Sequence, residues 1–437
     1  MTHITFVILV FSGALFDLLP CGVPIQKMAI ILYMMINIIV RGNNKFPVDA
    51  IKLIYPYLLY LCYAFISAYS VSGSFLYVAS ALQPLCIGVV FYIYLLSCHI
   101  NNFKLKDLYH TLLLIVITQI VFAFIKLLTH GIDEKVLIGS MSNVAGQIGF
   151  LFPAIAVPLI FFFMKNKSQF YFFMIIIGLF SFGIINEKRS VVFLMPLIVW
   201  GSIQANSQIL IKSYQIVNCL KLLFIIIFIL LSVVIGASFI PSLNIDNRYG
   251  GSVNLVQLVQ YAYDYLTMDY GDSLQGSYAD AGLNQNIQVG RITLLLSIVQ
   301  WISNSNWFVM LFGIGFGVAT PSDWLGGNVD PLFSILGTRG AISGACLSLI
   351  ETGIFGFGLF VLFFNKIHNR IWYLIKDAGD HHLKRWYKMV AVAFYIFVYD
   401  FFFYSTTLFR VLPMPVIFFA IIFTLVKQKK ADQISSI

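Results

Sequence analysis

The stretch FYFFMIIIGLFSFGIINEKRSVVFLMPLIVWGSIQ, residues 170–204, decides how the rest of the chain is read. Two apolar runs, 170–186 and 190–204, are separated only by Glu187-Lys188-Arg189. Each is close to the lower limit of about 17 residues for a helix that crosses the hydrocarbon of a bilayer. Neither has a polar face to offer to water, so the pattern predicts two antiparallel membrane spans joined by a charged turn.

Similar runs recur near 4–20, 24–40, 53–72, 77–98, 109–128, 146–164, 222–240, 341–364, 389–406 and 411–426. The expectation is an all-α polytopic membrane protein of about twelve transmembrane helices. The first run has no basic residues before it and a second follows at once, so it reads as a span and not as a cleaved signal peptide. The 437 residues are 60% hydrophobic, 16% aromatic and 10% charged, with mean hydropathy +0.90. Soluble proteins average about 45–50% apolar and about 25% charged residues. A soluble enzyme, a disordered chain and a secreted disulfide scaffold are thereby excluded. The six cysteines (Cys21, Cys62, Cys86, Cys98, Cys219, Cys346) lie in or beside apolar runs without CxxC or His-paired spacing. They read as small core residues, with no metal site and no disulfide framework.

The formal charge is +9. Nucleic acid is not the expected partner, because no basic run outside the apolar stretches carries interleaved aromatics. With both termini cytoplasmic, the inner segments hold all the lysines and arginines except Lys27, Lys126, Lys135, Lys188, Arg189, Arg248, Arg291, Arg339 and Arg410. That leaves nine on the outer side or within spans against eighteen inside, the asymmetry expected of cytoplasmic loops. The chain then divides into 1–240 (spans one to nine), a large outer loop at 241–340, and 341–437 (spans ten to twelve with a cytoplasmic tail). Inside the loop, Ile292–Ile302 and Trp307–Val318 are apolar but too short to cross, and Ser303-Asn304-Ser305-Asn306 separates them. They are expected to be interfacial or re-entrant helices packed on the bundle. One further span over 292–318 is the alternative.

Charges within or beside spans cost about 2.5–3.5 kcal/mol at mid-helix on insertion scales, so each marks function or a paired contact. Glu187-Lys188-Arg189-Ser190 is the densest group. It suits an anion, because guanidinium binds phosphate oxygens as a bidentate fork; a tight interfacial turn with snorkelling side chains is the plainer reading. Arg248, Arg291 and Arg339 are the only basic residues of the loop and stand among seven aspartates. They are candidate substrate contacts, or each neutralises a neighbouring Asp. Tyr249, Tyr261, Tyr263, Tyr265, Tyr270 and Tyr278, with the aspartates, would suit a carbohydrate groove, or form part of an interfacial aromatic belt. Gly313-Ile314-Gly315-Phe316-Gly317 has the look of a dinucleotide fingerprint but lacks its strand and later glycine, so a backbone turn or close helix contact is expected. The loop has no histidine, and any general base in it must be Asp, Glu or Tyr.

At three places the chain resembles the O-antigen polymerase and ligase superfamily of bacterial inner membranes, most closely the Wzy-type repeat-unit polymerases. Glu187-Lys188-Arg189-Ser190 resembles the family's Arg-small turn. Gly290-Arg291 opens an apolar helix leading to Leu311-Phe312-Gly313-Ile314-Gly315-Phe316-Gly317, similar to its "lfGiGfG" stretch. Arg339-Gly340 precedes Glu351-Thr352-Gly353-Ile354-Phe355-Gly356, similar to the family's "ExGhhG". Two features differ. A glycine eleven places after an arginine is missing, since Arg189, Arg291 and Arg339 lead to Trp200, Ile302 and Ile350. The ligases' loop histidine is also missing, which favours a polymerase over a ligase.

The resemblance implies metal-independent, cofactor-free glycosyl transfer at the periplasmic face of the inner membrane, with undecaprenyl-pyrophosphate-linked oligosaccharides as substrates and a chain-length regulator and a flippase as partners. It assigns Arg291 and Arg339 to the pyrophosphate, and Arg189 to the second carrier or to positioning. Lys188, Arg248 and Glu351 become further substrate contacts, and the base is Glu187 or a loop Asp. Glu351 has a second reading, as a lock on the outer end of span ten. A flippase of the same lipid-linked sugars is the rival, with Asp17, Lys27, Lys126 and Asp400 lining a cavity.

Overall fold

The computed structural model describes residues 23–41, 47–99, 105–130, 148–163, 169–185, 189–206, 231, 233–240, 243–246, 250–267, 291–318, 342–404 and 413–426. Among these no strand occurs, and the elements are α1 (Val23–Arg41), α2 (Val48–Ser72), α3 (Phe75–His99), α4 (Leu105–His130), α5 (Ile148–Phe163), α6 (Gln169–Ile185), α7 (Arg189–Asn206), α8 (Leu255–Thr267), α9 (Arg291–Asn304), α10 (Trp307–Phe312), α11 (Gly344–Asp377), α12 (His381–Tyr399) and α13 (Pro413–Thr424). Ten of the apolar runs read from the sequence fall on helices. The run at 4–20 and most of the run at 222–240 lie outside the described residues. By length and composition, four described helical segments can cross a membrane: Val48–Ser72, Ala81–Cys98, Gly344–Asp377 and His381–Tyr404. The chain is an all-α protein with the build of a membrane protein.

Local chemistry explains the helix ends. Gly73, left-handed at φ 60°, ends α2 with its N–H on the Tyr69 carbonyl. Asn306 starts α10 by accepting the Val309 N–H at 2.8 Å; this cap divides the loop's two apolar runs into separate helices. Asp380 likewise caps α12 through the His382 N–H. Helix α11 continues thirteen residues beyond the apolar run at 341–364. Its extension is amphipathic, burying Ile367, Ile371, Leu374 and Ile375 while Lys366, Asn369 and Tyr373 stay exposed.

The helices form one bundle, with α2, α9, α10 and α12 against α11, α1 and α13 against α3, and α5 against α7 and α12. Its centre is a mass of rings: Tyr57 meets Phe360, Phe363 and Phe419, and Phe364 meets Phe394, Phe401 and Phe418. Pro56 lies inside α2 and removes the N–H that would bond the Lys52 carbonyl. Lys366 Nζ of α11 donates to that carbonyl at 3.2 Å. A second small cluster joins Val192 of α7 to Ala237, Ile240, Leu243 and Leu258 of α8.

Phe363 is buried, whereas Leu362 beside it is 54% exposed. Phe363→Ala is expected to lower stability by about 3–5 kcal/mol and Leu362→Ala by much less, measured as unfolding midpoints of the detergent-solubilised protein.

Candidate functional site

One group of polar contacts in the bundle forms where α2, the segment 311–318 and α11 meet. Helix α11 is broken at Gly353, whose φ of 61° and ψ of −166° are not helical. The break releases carbonyls in the middle of an apolar helix, and the glycine segment takes them up. Ile314 N–H donates to the Ile350 carbonyl at 2.9 Å, and Gly315 N–H to the Glu351 carbonyl at 3.1 Å. The two backbones touch because neither has a side chain there. A Cβ on Gly353 would lie 2.5 Å from the carbonyl carbon and oxygen of Leu311, and one on Gly313 (φ 75°) would strike the backbone of Glu351.

Helix α2 straps the junction. Tyr63 Oη donates to the Phe312 carbonyl at 2.6 Å and also reaches the Thr352 carbonyl at 3.4 Å, touching both sides of the contact. Ser67 Oγ accepts the Phe316 N–H at 3.1 Å. In α11, Thr352 Oγ1 donates to the Ser348 carbonyl and lies 3.2 Å from Ser348 Oγ. Glu351 is 1% exposed, within electrostatic reach of the Tyr60 and Tyr77 hydroxyls.

This geometry decides what the glycine segment can do. The amides of Gly313, Ile314, Gly315 and Phe316 all donate inward, to Val309, Ile350, Glu351 and Ser67. No N–H of the four is left to cradle a phosphate, so the stretch is a structural contact and not a dinucleotide-binding turn. Among the described residues, no three His, Cys, Asp or Glu side chains come close enough to hold a metal ion.

Of the residues singled out in the sequence, Glu351 lies at this junction. Arg291 is the first residue of α9, which packs on α11 and is followed by α10 and the glycine segment. Arg189 is the first residue of α7. The start of α7 is gripped from two sides, since Gly183 of α6 fits against Val191 and Gly236 against Val192. From there the small apolar cluster leads to α8, which packs on α9. Glu187, Lys188, Arg248 and Arg339 lie outside the described residues, as do Asp17 and Arg410. Asp400, flagged as an intramembrane charge, is fully buried and opens a π-helical turn, Asp400–Tyr404.

Tyr63 and Ser67 were not legible as site residues. A tyrosine and a serine on an apolar helix carry no signal until their long-range partners are known.

In comparisons with known proteins, no family model and no curated protein matches this chain.

Gly353→Ala is expected to prevent stable folding, whereas Gly358→Ala, with nothing within 4 Å of the added carbon, is expected to be neutral or to stabilise α11 by up to about 1 kcal/mol. Tyr63→Phe is expected to cost about 0.5–1.5 kcal/mol. Thermal melts of the three variants in one detergent, with membrane levels measured alongside, check the order.

Proposed function

We propose that this chain is a membrane glycosyltransferase that polymerises undecaprenyl-pyrophosphate-linked oligosaccharide repeat units at the periplasmic face of a bacterial inner membrane. The observation that carries the reading is the packing that joins the described parts of the three stretches resembling the Wzy-type polymerases, namely 189–190, 291 with 311–317, and 351–356. The start of α7 connects through α8 to α9, α9 leads to the glycine segment, and the glycine segment is hydrogen-bonded to Glu351 and its neighbours in α11. Stretches far apart in sequence are thus linked by a continuous run of packed elements.

The contacts also give the bundle two distinct ends, which fits the expected topology of twelve spans with both termini cytoplasmic but does not count the spans. The α2–α3 turn, the glycine segment and the start of α11 meet at one end. At the other end Lys366 meets Lys52, and Arg370 meets the carbonyl of Leu425. Lys52, Lys366 and Arg370 lie at this second end, which is the cytoplasmic one on the charge rule.

In the reaction, a sugar hydroxyl of the incoming repeat unit gives its proton to a carboxylate base. Its oxygen bonds to the anomeric carbon of the growing glycan. The bond from that carbon to the pyrophosphate oxygen breaks, and the electron pair leaves with undecaprenyl pyrophosphate. Arg291 and Arg339 bind the pyrophosphate and stabilise the charge that develops on it. Arg189 holds the second carrier, with Lys188 and Arg248 as further contacts, and Glu187 or a loop Asp is the base. The burial of Glu351 under the glycine segment favours its role as a lock over direct substrate contact.

Deleting the gene is expected to collapse the surface-glycan ladder to a single repeat unit on a gel. The wild-type gene restores the ladder, while Arg291→Ala and Arg339→Ala reach the membrane and do not. Arg291→Lys is expected to fail as well, because an ammonium cannot reproduce the fork. Loss of all surface glycan on deletion would instead indicate the flippase, and an unchanged ladder would refute both readings. With purified protein and lipid-linked substrate, polymer formation is expected to be insensitive to EDTA.

A further inference from the structure

We infer that the surface where α2 and α11 pack together, at the end of the bundle where Lys366 meets Lys52, binds the headgroup and one acyl chain of an anionic phospholipid. The site depends on the chain lying in a bilayer and not on the reaction proposed above, and none of its residues is assigned to that reaction. Its charge comes from both helices. Lys366 Nζ donates to the Lys52 carbonyl at 3.2 Å and stands 5.8 Å from the centre of the Tyr55 ring. One turn on, Arg370 donates to the Leu425 carbonyl at 3.4 Å and lies over the Tyr373 ring at 5.6 Å. Asp49, in the first turn of α2, is the one acid of residues 48–59 and 355–373, which leaves these two segments at net +2. Among the described residues, Lys52, Lys366 and Arg370 form no ion pair.

The unpaired charge selects the headgroup. An ammonium has three donors, and the Lys52 carbonyl takes one from Lys366, so two remain for the oxygens of a phosphate. The same bond and the Tyr55 ring hold this long side chain in one place, which reduces the entropy lost when a ligand binds. Lys52 is exposed and keeps its whole ammonium for the same ligand. A zwitterionic headgroup carries its own cation and would leave this charge uncompensated.

The residues that adjoin the charge select a lipid over a free anion. Leu362 lies one turn before Lys366 on α11 and Leu59 one turn after Tyr55 on α2, so each shares a helix face with a member of the charged group. Both leucines are exposed. One to two turns further along, the rings of Tyr63 and Phe355 meet at 5.1 Å and bridge the two helices. From Lys366 back to Phe355 is eleven residues of α11, about 16 Å of helix and close to half of a hydrocarbon core about 30 Å thick. The apolar stripe therefore runs one leaflet deep from the charged group. Both helices are long and apolar enough to cross a membrane. A soluble anion would cover the lysines and leave the stripe bare, whereas a phospholipid covers both.

The test is native mass spectrometry of the full-length protein in detergent with equimolar phosphatidylglycerol and phosphatidylcholine of the same chains. One phosphatidylglycerol is expected to stay bound in preference to phosphatidylcholine. Lys52→Gln, which leaves the backbone carbonyl in place, and Lys366→Gln are each expected to lower that preference about fivefold, while Lys52→Arg keeps it. Lys384→Gln, on α12 of the same end of the bundle, is expected to change nothing. Thermal melts are run alongside: Lys52→Gln should leave the melt without added lipid unchanged and shrink the upward shift that phosphatidylglycerol gives the wild type. Equal retention of the two lipids, or a preference that survives the double variant Lys52→Gln/Lys366→Gln, overturns the proposal. Displacement of phosphatidylglycerol by millimolar inorganic phosphate would make the site one for a free anion and overturn it as well. The glycan ladder reads the polymerase separately, since a ladder that collapses on gene deletion says nothing of lipid preference, and lipid preference says nothing of the ladder.

Discussion

Two stretches of main chain lie directly against one another at Gly313 and Gly353, and the junction of α2, the 311–318 segment and α11 depends on that contact. A helix broken inside hydrocarbon exposes carbonyls that no water can reach, at several kcal/mol for each one left unsatisfied. Here the amides of Ile314 and Gly315 take up the carbonyls of Ile350 and Glu351. The break in α11 is tolerable because the segment is docked, and the segment can dock because both chains lack Cβ atoms where they meet. Each half supplies what the other lacks, amides from the segment and free carbonyls from the helix. Tyr63 adds a side-chain tie to a carbonyl on each side.

Below the junction, a different force holds the helices. In a bilayer, lipid tails are as apolar as leucine, and association rests on close packing and on buried polar ties. The ring cluster around Tyr57, Phe360, Phe363, Phe364 and Phe418 meets the first requirement, since aromatic side chains bury much area with few rotatable bonds. Buried polar ties to carbonyls of other helices meet the second. Arg385 of α12 lies over the Phe162 ring, 4.9 Å from its centroid, and donates to the Phe162 carbonyl at 3.0 Å. Tyr92 reaches Ala50, and Tyr57 reaches Leu85.

Much of this was legible in the sequence, for identifiable reasons. An apolar run without charges has few structures open to it, so the helices at 53–72, 77–98 and 389–406 could be placed to within a few residues at most ends. The continuation of α11 to Asp377 was missed because an amphipathic surface turn does not register as an apolar run. The break at Gly353 was hidden, since Ile350 to Phe357 reads as unbroken helix and only a partner 40 residues earlier explains it. Alternating glycines at 313, 315 and 317 did announce a turn in close contact, because few other roles need three such residues, although their partner could not be read. Glu351 stood out as a charge in an apolar run, and its burial agrees with the cost that made it stand out. The arginines were chosen for their chemistry; the backbone of Arg189 and Arg291 begins two packed helices, while Arg339 and Arg248 lie outside the described residues.

A contact built from main-chain atoms says little about which residues surround it. Ile354 and Phe355, between two close-packed glycines, are both exposed at the helix surface, and many apolar residues could replace them without disturbing the hydrogen bonds. Two proteins could share this junction, atom for atom, and differ at almost every neighbouring side chain. What the contact fixes is the interval between glycines, and the side chains around it are left free to vary.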